Sequence, residues 1–289
     1  MTGRNAVITG ATGGIGRWIA LGLVEAGFRL FVIGRDPVRL EGLREWAGSR
    51  VAGSAARIEL VAADLSMLSE TRAAARQVLS RVGDIAVLVN NAGTLSPRRL
   101  ITAEGHELTL AVNHLSPFVL TGSLLPALSR AGAARIVNVG SSTSDRARID
   151  PDDLELVRRW GMVRAYSRSK LALLMCSLAL ARRLDGSGVT VNVVHPGTVA
   201  TGLVRNPGVV GLAWKLMAPF VLSECQGADT PLFAALSPEC EGLSGNYLKR
   251  RHPVRPNRLA LDPALCGRVL AATEALSADR PPHAPTAQG

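Results

Sequence analysis

No apolar run in the 289-residue chain reaches the roughly 18 residues that a membrane-crossing helix needs. The first five residues lead almost at once into a strand-like segment, so neither a signal peptide nor a membrane anchor is expected, and the expected location is cytoplasmic. Cysteine is sparse: Cys176, Cys225, Cys240 and Cys266 lack the spacing of metal ligands. That argues against zinc and disulfides, and for reduced thiols. Aromatic residues make up only 4%, and none is interleaved with the densest basic run, Lys249-Arg250-Arg251-His252. The net charge of +10 and isoelectric point near 10.6 would suit a nucleic acid or an acidic membrane, but the 33 basic residues are spread along the chain. Nucleic acid is therefore not an expected partner. No internal repeat is visible.

What is present is a globular composition, 47% hydrophobic and 19% charged, in which strand-like and helix-like stretches alternate. Residues 5–9 read as a buried strand. They run into Gly10-Ala11-Thr12-Gly13-Gly14-Ile15-Gly16 and then an amphipathic helix ending near residue 26. A strand, a glycine-rich turn and a helix N-terminus in this order form a dinucleotide site, because glycines admit the pyrophosphate and helix N–H groups bind it. A second strand, 29–33, ends in Gly34-Arg35-Asp36. Sites that prefer NAD place an acidic residue at this strand end. Gly34 takes that place here, and Arg35 with Arg17 would suit a 2′-phosphate, which favours NADP(H). Asp36 is the ribose ligand instead if the turn is shifted by one residue.

A third strand, 58–62, leads to Ala63-Asp64-Leu65, where Asp64 faces the ligand edge, caps the helix 66–82, or does both. The apolar run 85–89 is expected to be a central parallel strand and ends in Asn90-Asn91-Ala92-Gly93. Asn113 falls inside a helix read over 107–130, where asparagine needs a reason to be. A fifth strand, 135–139, ends in Gly140-Ser141-Ser142. After a 23-residue irregular stretch comes the helix 163–184, with Tyr166 and Lys170 four apart and therefore on one face. A cation beside a phenol lowers its pKa from about 10, and such a phenol can pass a proton to or from a carbonyl oxygen near neutrality. A sixth strand, 189–194, is closed by His195-Pro196-Gly197-Thr198. Residues 202–223 read as an apolar lid with Leu203, Val209, Leu212, Trp214, Leu216, Met217 and Phe220 available to line a pocket. A helix over 226–236, a short strand over 245–249 and a helix over 263–276 complete the domain. The proline-rich tail, 279–289, is expected to be disordered.

Taken together, Thr9-Gly10 with Gly14 and Gly16, Asp64, Asn90 to Gly93, Asn113, Ser142, Tyr166 with Lys170, and Pro196-Gly197 resemble the short-chain dehydrogenase/reductase family. The likeness covers about residues 4–276. Residues 113–121, the long spacing from Ser142 to Tyr166, 195–198 and 243–247 look more narrowly like its retinol dehydrogenase branch. The resemblance implies one domain over 1–278, an α/β Rossmann-type doubly wound parallel sheet. About seven strands in the order 3-2-1-4-5-6-7, with helices on both faces, are implied. It also implies that Ser142 binds the substrate carbonyl, Tyr166 donates the proton, Lys170 holds the nicotinamide ribose, and Asn113 carries a proton-relay water. Ser141 and Ser142 are not separated by sequence alone. The implied cofactor set is Gly10, Thr12, Gly14, Ile15, Gly16, Arg17, Arg35, Asp64, Leu65, Asn91, Ala92, Gly93, Tyr166, Lys170, Pro196, Gly197 and Thr198. The expected function is NADPH-dependent reduction of a lipophilic ketone or aldehyde, of polyketide or aromatic type. The same enzyme running as an NADP-dependent alcohol dehydrogenase, and a non-catalytic NADP(H) sensor, are the alternatives. A homodimer paired through the helices of Asn113 and Tyr166 is the expected assembly.

Overall fold

The computed structural model describes residues 4–197 and 222–278. Thr198, most of the expected lid and the proline-rich tail lie outside the described residues. Eight strands form one sheet in the order β3-β2-β1-β4-β5-β6-β7-β8. They are β1 (Asn5–Thr9), β2 (Arg29–Gly34), β3 (Ile58–Ala62), β4 (Val87–Asn90), β5 (Ala134–Val139), β6 (Val189–His195), β7 (Tyr247–Lys249) and β8 (His252–Val254). The first seven pair in parallel in the expected order. The eighth, antiparallel to β7, was not expected. The turn into β8 is Arg250-Arg251, with φ of 47° and 67° at residues that carry no glycine signal.

Among the described residues seven helices flank the sheet: α1 (Gly14–Glu25), α2 (Pro37–Gly48), α3 (Leu68–Leu79), α4 (Leu108–Arg130), α5 (Met162–Arg183), α6 (Glu224–Leu236) and α7 (Pro263–Ser277). The period-two pleat divides each central strand between two cores. Ala6, Ile8, Val87 and Val89 face α1, α2 and α6, whereas Val7, Leu88 and Ile136 face α3 and α4. Both faces are thus covered, which is why these strands read as unbroken apolar runs.

Local signals fix several helix starts. Asp36 caps α2, its Oδ1 accepting from the amides of Val38 (3.0 Å) and Arg39 (3.2 Å), with Pro37 at the first helical position. Ser223 and Gln226 form a capping box on α6, so that helix begins at Glu224. The cap of α3 is not Asp64: Glu104 reaches across to the amides of Leu68 (2.6 Å) and Ser69 (3.0 Å). Asp64 instead accepts from the Ser66 amide at 2.9 Å.

α4 is long and apolar enough to cross a membrane, with a mean hydropathy of 1.3, but 67% of that window is buried, as in a core helix. Its residues Ala111–Leu115 form a π-helical turn. In α5 every residue from Arg168 to Ala179 is buried. Part of its cover is α7, whose Cys266, Val269 and Leu270 pack on Leu171, Met175 and Leu178, while Ala272 and Leu276 pack beside Leu115 and Val119. Thr273 of α7 hydrogen-bonds His114 at 2.8 Å and contacts Cys176. The two helices expected to meet a second copy are therefore spanned by the chain's own C-terminal helix.

Candidate active site

The carboxyl ends of the parallel strands bring the glycine turn, Asp64, Asn91, Ser141, and Pro196 with Gly197 to one edge of the sheet. In such sheets the crevice outside these ends is where ligands bind. β1 and β4 flank the point where strand order reverses, and the residues that follow them interlock. Asn91 donates to the carbonyls of Thr9 (3.0 Å) and Gly10 (2.9 Å), and the Thr9 hydroxyl accepts from the amides of Asn91 and Ala92. A Cβ at Gly10 would lie 2.6 Å from Ala92 Cα, and one at Gly16 2.4 Å from the Gly10 carbonyl. Asn91 and Ala92 thus shape the turn rather than reach outward.

The first turn of α1 has no side-chain cap and no acidic residue, so none of its own side chains competes with an anion for its N–H groups. Ile15 and Leu65 are buried, which leaves their backbones as the groups able to face a cofactor. The expected phosphate ligands are rearranged. Arg17 pairs with Glu224 at 2.8 Å and lies over the rings of Trp46 (5.2 Å) and Trp18 (5.8 Å). Its place beside the turn is taken by Arg39, with Nη2 3.5 Å from the Thr12 carbonyl and 3.3 Å from where a Gly13 Cβ would sit. Arg35 and Arg39 are both exposed there. One oxygen of the Asp36 carboxylate, Oδ1, serves the α2 cap, which leaves Oδ2 as the atom by which the shifted-turn reading could bind a ribose. The Asp-Pro pair that signals this cap also signals that Arg39 lies in the first turn of α2.

Tyr166 and Lys170 share one face of α5, with the Lys170 Nζ 6.0 Å from the centre of the tyrosine ring. The ammonium donates to the Val139 carbonyl at 2.8 Å, just before Gly140 and Ser141. The Ser141 side chain acts on the Tyr166 phenol and favours its ionised form. Ser142, the serine expected in that role, is exposed instead. Residues 141 and 142 point in different directions because the backbone is extended at Ser141 and a 3-10 turn starts at Ser142. Burial pushes the Tyr166 phenol above its ordinary pKa while the Ser141 side chain pulls it down. This opposes the depression expected from the neighbouring lysine: desolvation of the phenolate outweighs that pull. Burial also lowers Lys170 to about 8.

Asn113, fully buried, donates to the Thr94 carbonyl and to Ser169 Oγ, both at 3.0 Å, and accepts from the Thr94 amide at 2.7 Å. Ser169 in turn donates to the Tyr166 carbonyl at 2.8 Å. The side chain is thereby spent on structure, but Pro117, four residues on, has no N–H to give the Asn113 carbonyl. That carbonyl, in a π-helical turn of the kind found at functional sites, lacks its α-helical donor. A Cβ at Gly93 would lie 3.5 Å from Asn113 Oδ1 and 3.6 Å from Lys170 Nζ. A cleft of about 570 Å³ is lined by Ser142, Thr143, Asp145, Arg146, Ala147, Val163 and Ser167, near neighbours of Ser141 and Tyr166 in sequence.

A serine and a tyrosine hydroxyl able to bind a substrate oxygen thus share one sheet edge with an uncapped helix terminus. The sequence profile of the short chain dehydrogenase family matches residues 4–208. Retinol dehydrogenase 12 of Homo sapiens is 38% identical over 247 residues, 86% of this chain and 78% of that protein. Polyprenol dehydrogenase of Mus musculus is 38% identical over 277 residues, 93% of this chain and 82% of that protein. Among solved structures, a blue fluorescent protein from a metagenomic library in complex with NADPH superimposes with a TM-score of 0.68 at 28% identity. It covers 85% of this chain and 95% of its own.

Proposed function

The chain belongs to the short-chain dehydrogenase/reductase family, and from that premise we propose that it is a cytoplasmic, NADPH-dependent reductase of a lipophilic ketone or aldehyde. The observation that carries the reading is Tyr166 with Lys170 on the same helical face, Lys170 bonded to the end of the strand that leads into Ser141. NADPH, when bound, supplies the hydride. Its diphosphate is assigned to the uncapped α1 N-terminus and the turn Gly10–Gly16, and its 2′-phosphate to Arg35 and Arg39. Asp64, Leu65, Gly93, Pro196 and Gly197 complete the expected cofactor surface at the same sheet edge.

In this reading the Ser141 hydroxyl, in place of Ser142, donates to the substrate carbonyl oxygen and opposes the charge that develops there. Tyr166 delivers the proton to that oxygen. Its raised pKa keeps it protonated, as a general acid must be. Lys170 supplies positive charge beside the phenolate left behind, and its value near 8 lets it exchange a proton with water close to neutrality. The water for that exchange is assigned to the Asn113 carbonyl, which the π turn and Pro117 leave without its α-helical donor. Support for a lipophilic substrate comes from the names of the two relatives, both dehydrogenases of isoprenoid alcohols.

The test is NADPH consumption, followed by absorbance, over a panel of long-chain and aromatic aldehydes and ketones. Tyr166→Phe should bind NADPH as the parent does yet turn over at least about 10³-fold more slowly. Equal turnover in the variant, or none in the parent across the panel, would sink the proposal.

A further inference from the structure

The turn that presents Ser141 is gripped by side chains to which the proposed chemistry gives no task. Tyr247, one of only two tyrosines in the chain, is 2% exposed in β7. Its hydroxyl lies 3.2 Å from the Ser141 carbonyl and 3.1 Å from Asp145 Oδ1. A phenol has a single hydrogen, so the two acceptors share it. The other Asp145 oxygen accepts from Lys249 Nζ at 2.5 Å. Tyr247 and Lys249 are two apart on a strand and therefore face the same side. His195, in register with Lys249 on β6, is held neutral by burial and then by that lysine, with its pKa near 4. The pair is thus the charged element facing the Ser141 turn from this side.

The turn is closed by further bonds. The Ser141 carbonyl also accepts from Ser144 Oγ at 2.7 Å and from the Ser144 amide at 3.1 Å. Asn257 donates to the carbonyls of Ser144 (2.8 Å) and Ala147 (3.0 Å). Burial and the neighbouring carboxylate push the Tyr247 phenol well above its ordinary value, so it remains a donor.

We propose that Tyr247, oriented by the Asp145–Lys249 ion pair, is a positioning residue for the reduction. With Ser144 it holds the Ser141 carbonyl and so the position of the Ser141 Cα, from which the hydroxyl projects. The Ser141 Oγ also accepts from the Thr143 amide at 3.3 Å and hydroxyl at 3.1 Å, so a shift of the turn on losing the Tyr247 bond displaces that hydroxyl with its backbone. Displacements of about 1 Å at reacting groups cost about 10²-fold in rate. The proposal rests on the Ser141–Tyr166 reading above.

The experiment is a double-mutant cycle of Tyr247→Phe and Ser141→Ala, with kcat, ketone KM and NADPH affinity measured on each variant. Tyr247→Phe keeps the ring and removes only the donor. It should lower kcat about tenfold while NADPH affinity and melting temperature stay near the parent values, and it should cost nothing further once Ser141 is alanine. Asp145→Asn, which keeps an acceptor but breaks the ion pair, should give a smaller loss of the same kind. An unchanged kcat in Tyr247→Phe would overturn the proposal. So would an equal loss in the Ser141→Ala background, or a parallel fall in NADPH affinity and melting temperature, because each marks a role not passing through Ser141. Failure of the functional reading shows up separately, as a Tyr166→Phe variant that still turns over.

Discussion

The Ser141 side chain, two residues past the end of β5, acts on the phenol of Tyr166 on α5 and favours its ionised form. Val139 and Lys170 hold those two elements together, through the 2.8 Å bond from the ammonium to the carbonyl. The neighbouring Ser142 is exposed at the cleft wall. Ser141→Ala should therefore lower kcat by about 10²-fold or more, the scale of losing one oxyanion donor. Ser142→Ala should change kcat less than about threefold. Steady-state kinetics on the two variants separate the serines; the reverse order would return the role to Ser142.

Arg39 bears on cofactor choice. A charge-assisted hydrogen bond to a phosphate contributes about 1.5–3 kcal/mol, so Arg39→Ala should weaken NADPH binding by roughly 10- to 100-fold and NADH binding hardly at all. Arg35→Ala should act in the same sense. Arg17→Ala, which breaks the Glu224 pair and the tryptophan contacts, should show no preference between the two cofactors. Fluorescence titration with both nucleotides is the measurement, and an equal loss for NADH would remove Arg39 from the 2′-phosphate site.

Much of this was readable from sequence where the signal is local. The alternation that puts Ala6 and Ile8 on one core and Val7 on the other follows from β1 being buried on both faces. The Tyr166–Lys170 spacing follows from helix geometry. What was not readable depends on direction or on distant pairing. Ser141 and Ser142 differ only in backbone conformation, and Arg39 returns to the glycine turn because Asp36 starts α2 where it does. Tyr247 meets Asp145 across most of the C-terminal half of the fold, and β8 follows a turn of two arginines where asparagine and glycine are the usual signal. The Glu104 cap on α3 is likewise a tertiary bond with no local signature.

Lys170 gives the cofactor-free protein a defined pH signature. Its folded-state pKa, near 8, lies below the ordinary value of about 10.4, so between these limits the unfolded chain binds the extra proton. Stability contributed by this group must then rise with pH across that window, by roughly 3 kcal/mol at most, and be absent from Lys170→Met. Denaturant unfolding of both proteins from pH 7.5 to 10 should show the difference between parent and variant growing in favour of the parent. A constant difference would mean that the buried ammonium is not desolvated as the structure implies.

Pro117 offers a way to reach the proton exit without touching Asn113. Because proline has no N–H, the Asn113 carbonyl, in the π turn at Ala111–Leu115, lacks its i+4 donor. Pro117→Ala restores an N–H that can pair with the carbonyl and so competes with any water held there. The substitution leaves every hydrogen bond of the Asn113 side chain in place, so the buried contacts to Thr94 and Ser169 should survive. The expected result is a fall in kcat of about tenfold with NADPH affinity unchanged, and a larger solvent isotope effect as proton exchange becomes limiting. A variant with the parent's kcat and isotope effect would show that protons leave Lys170 by another route.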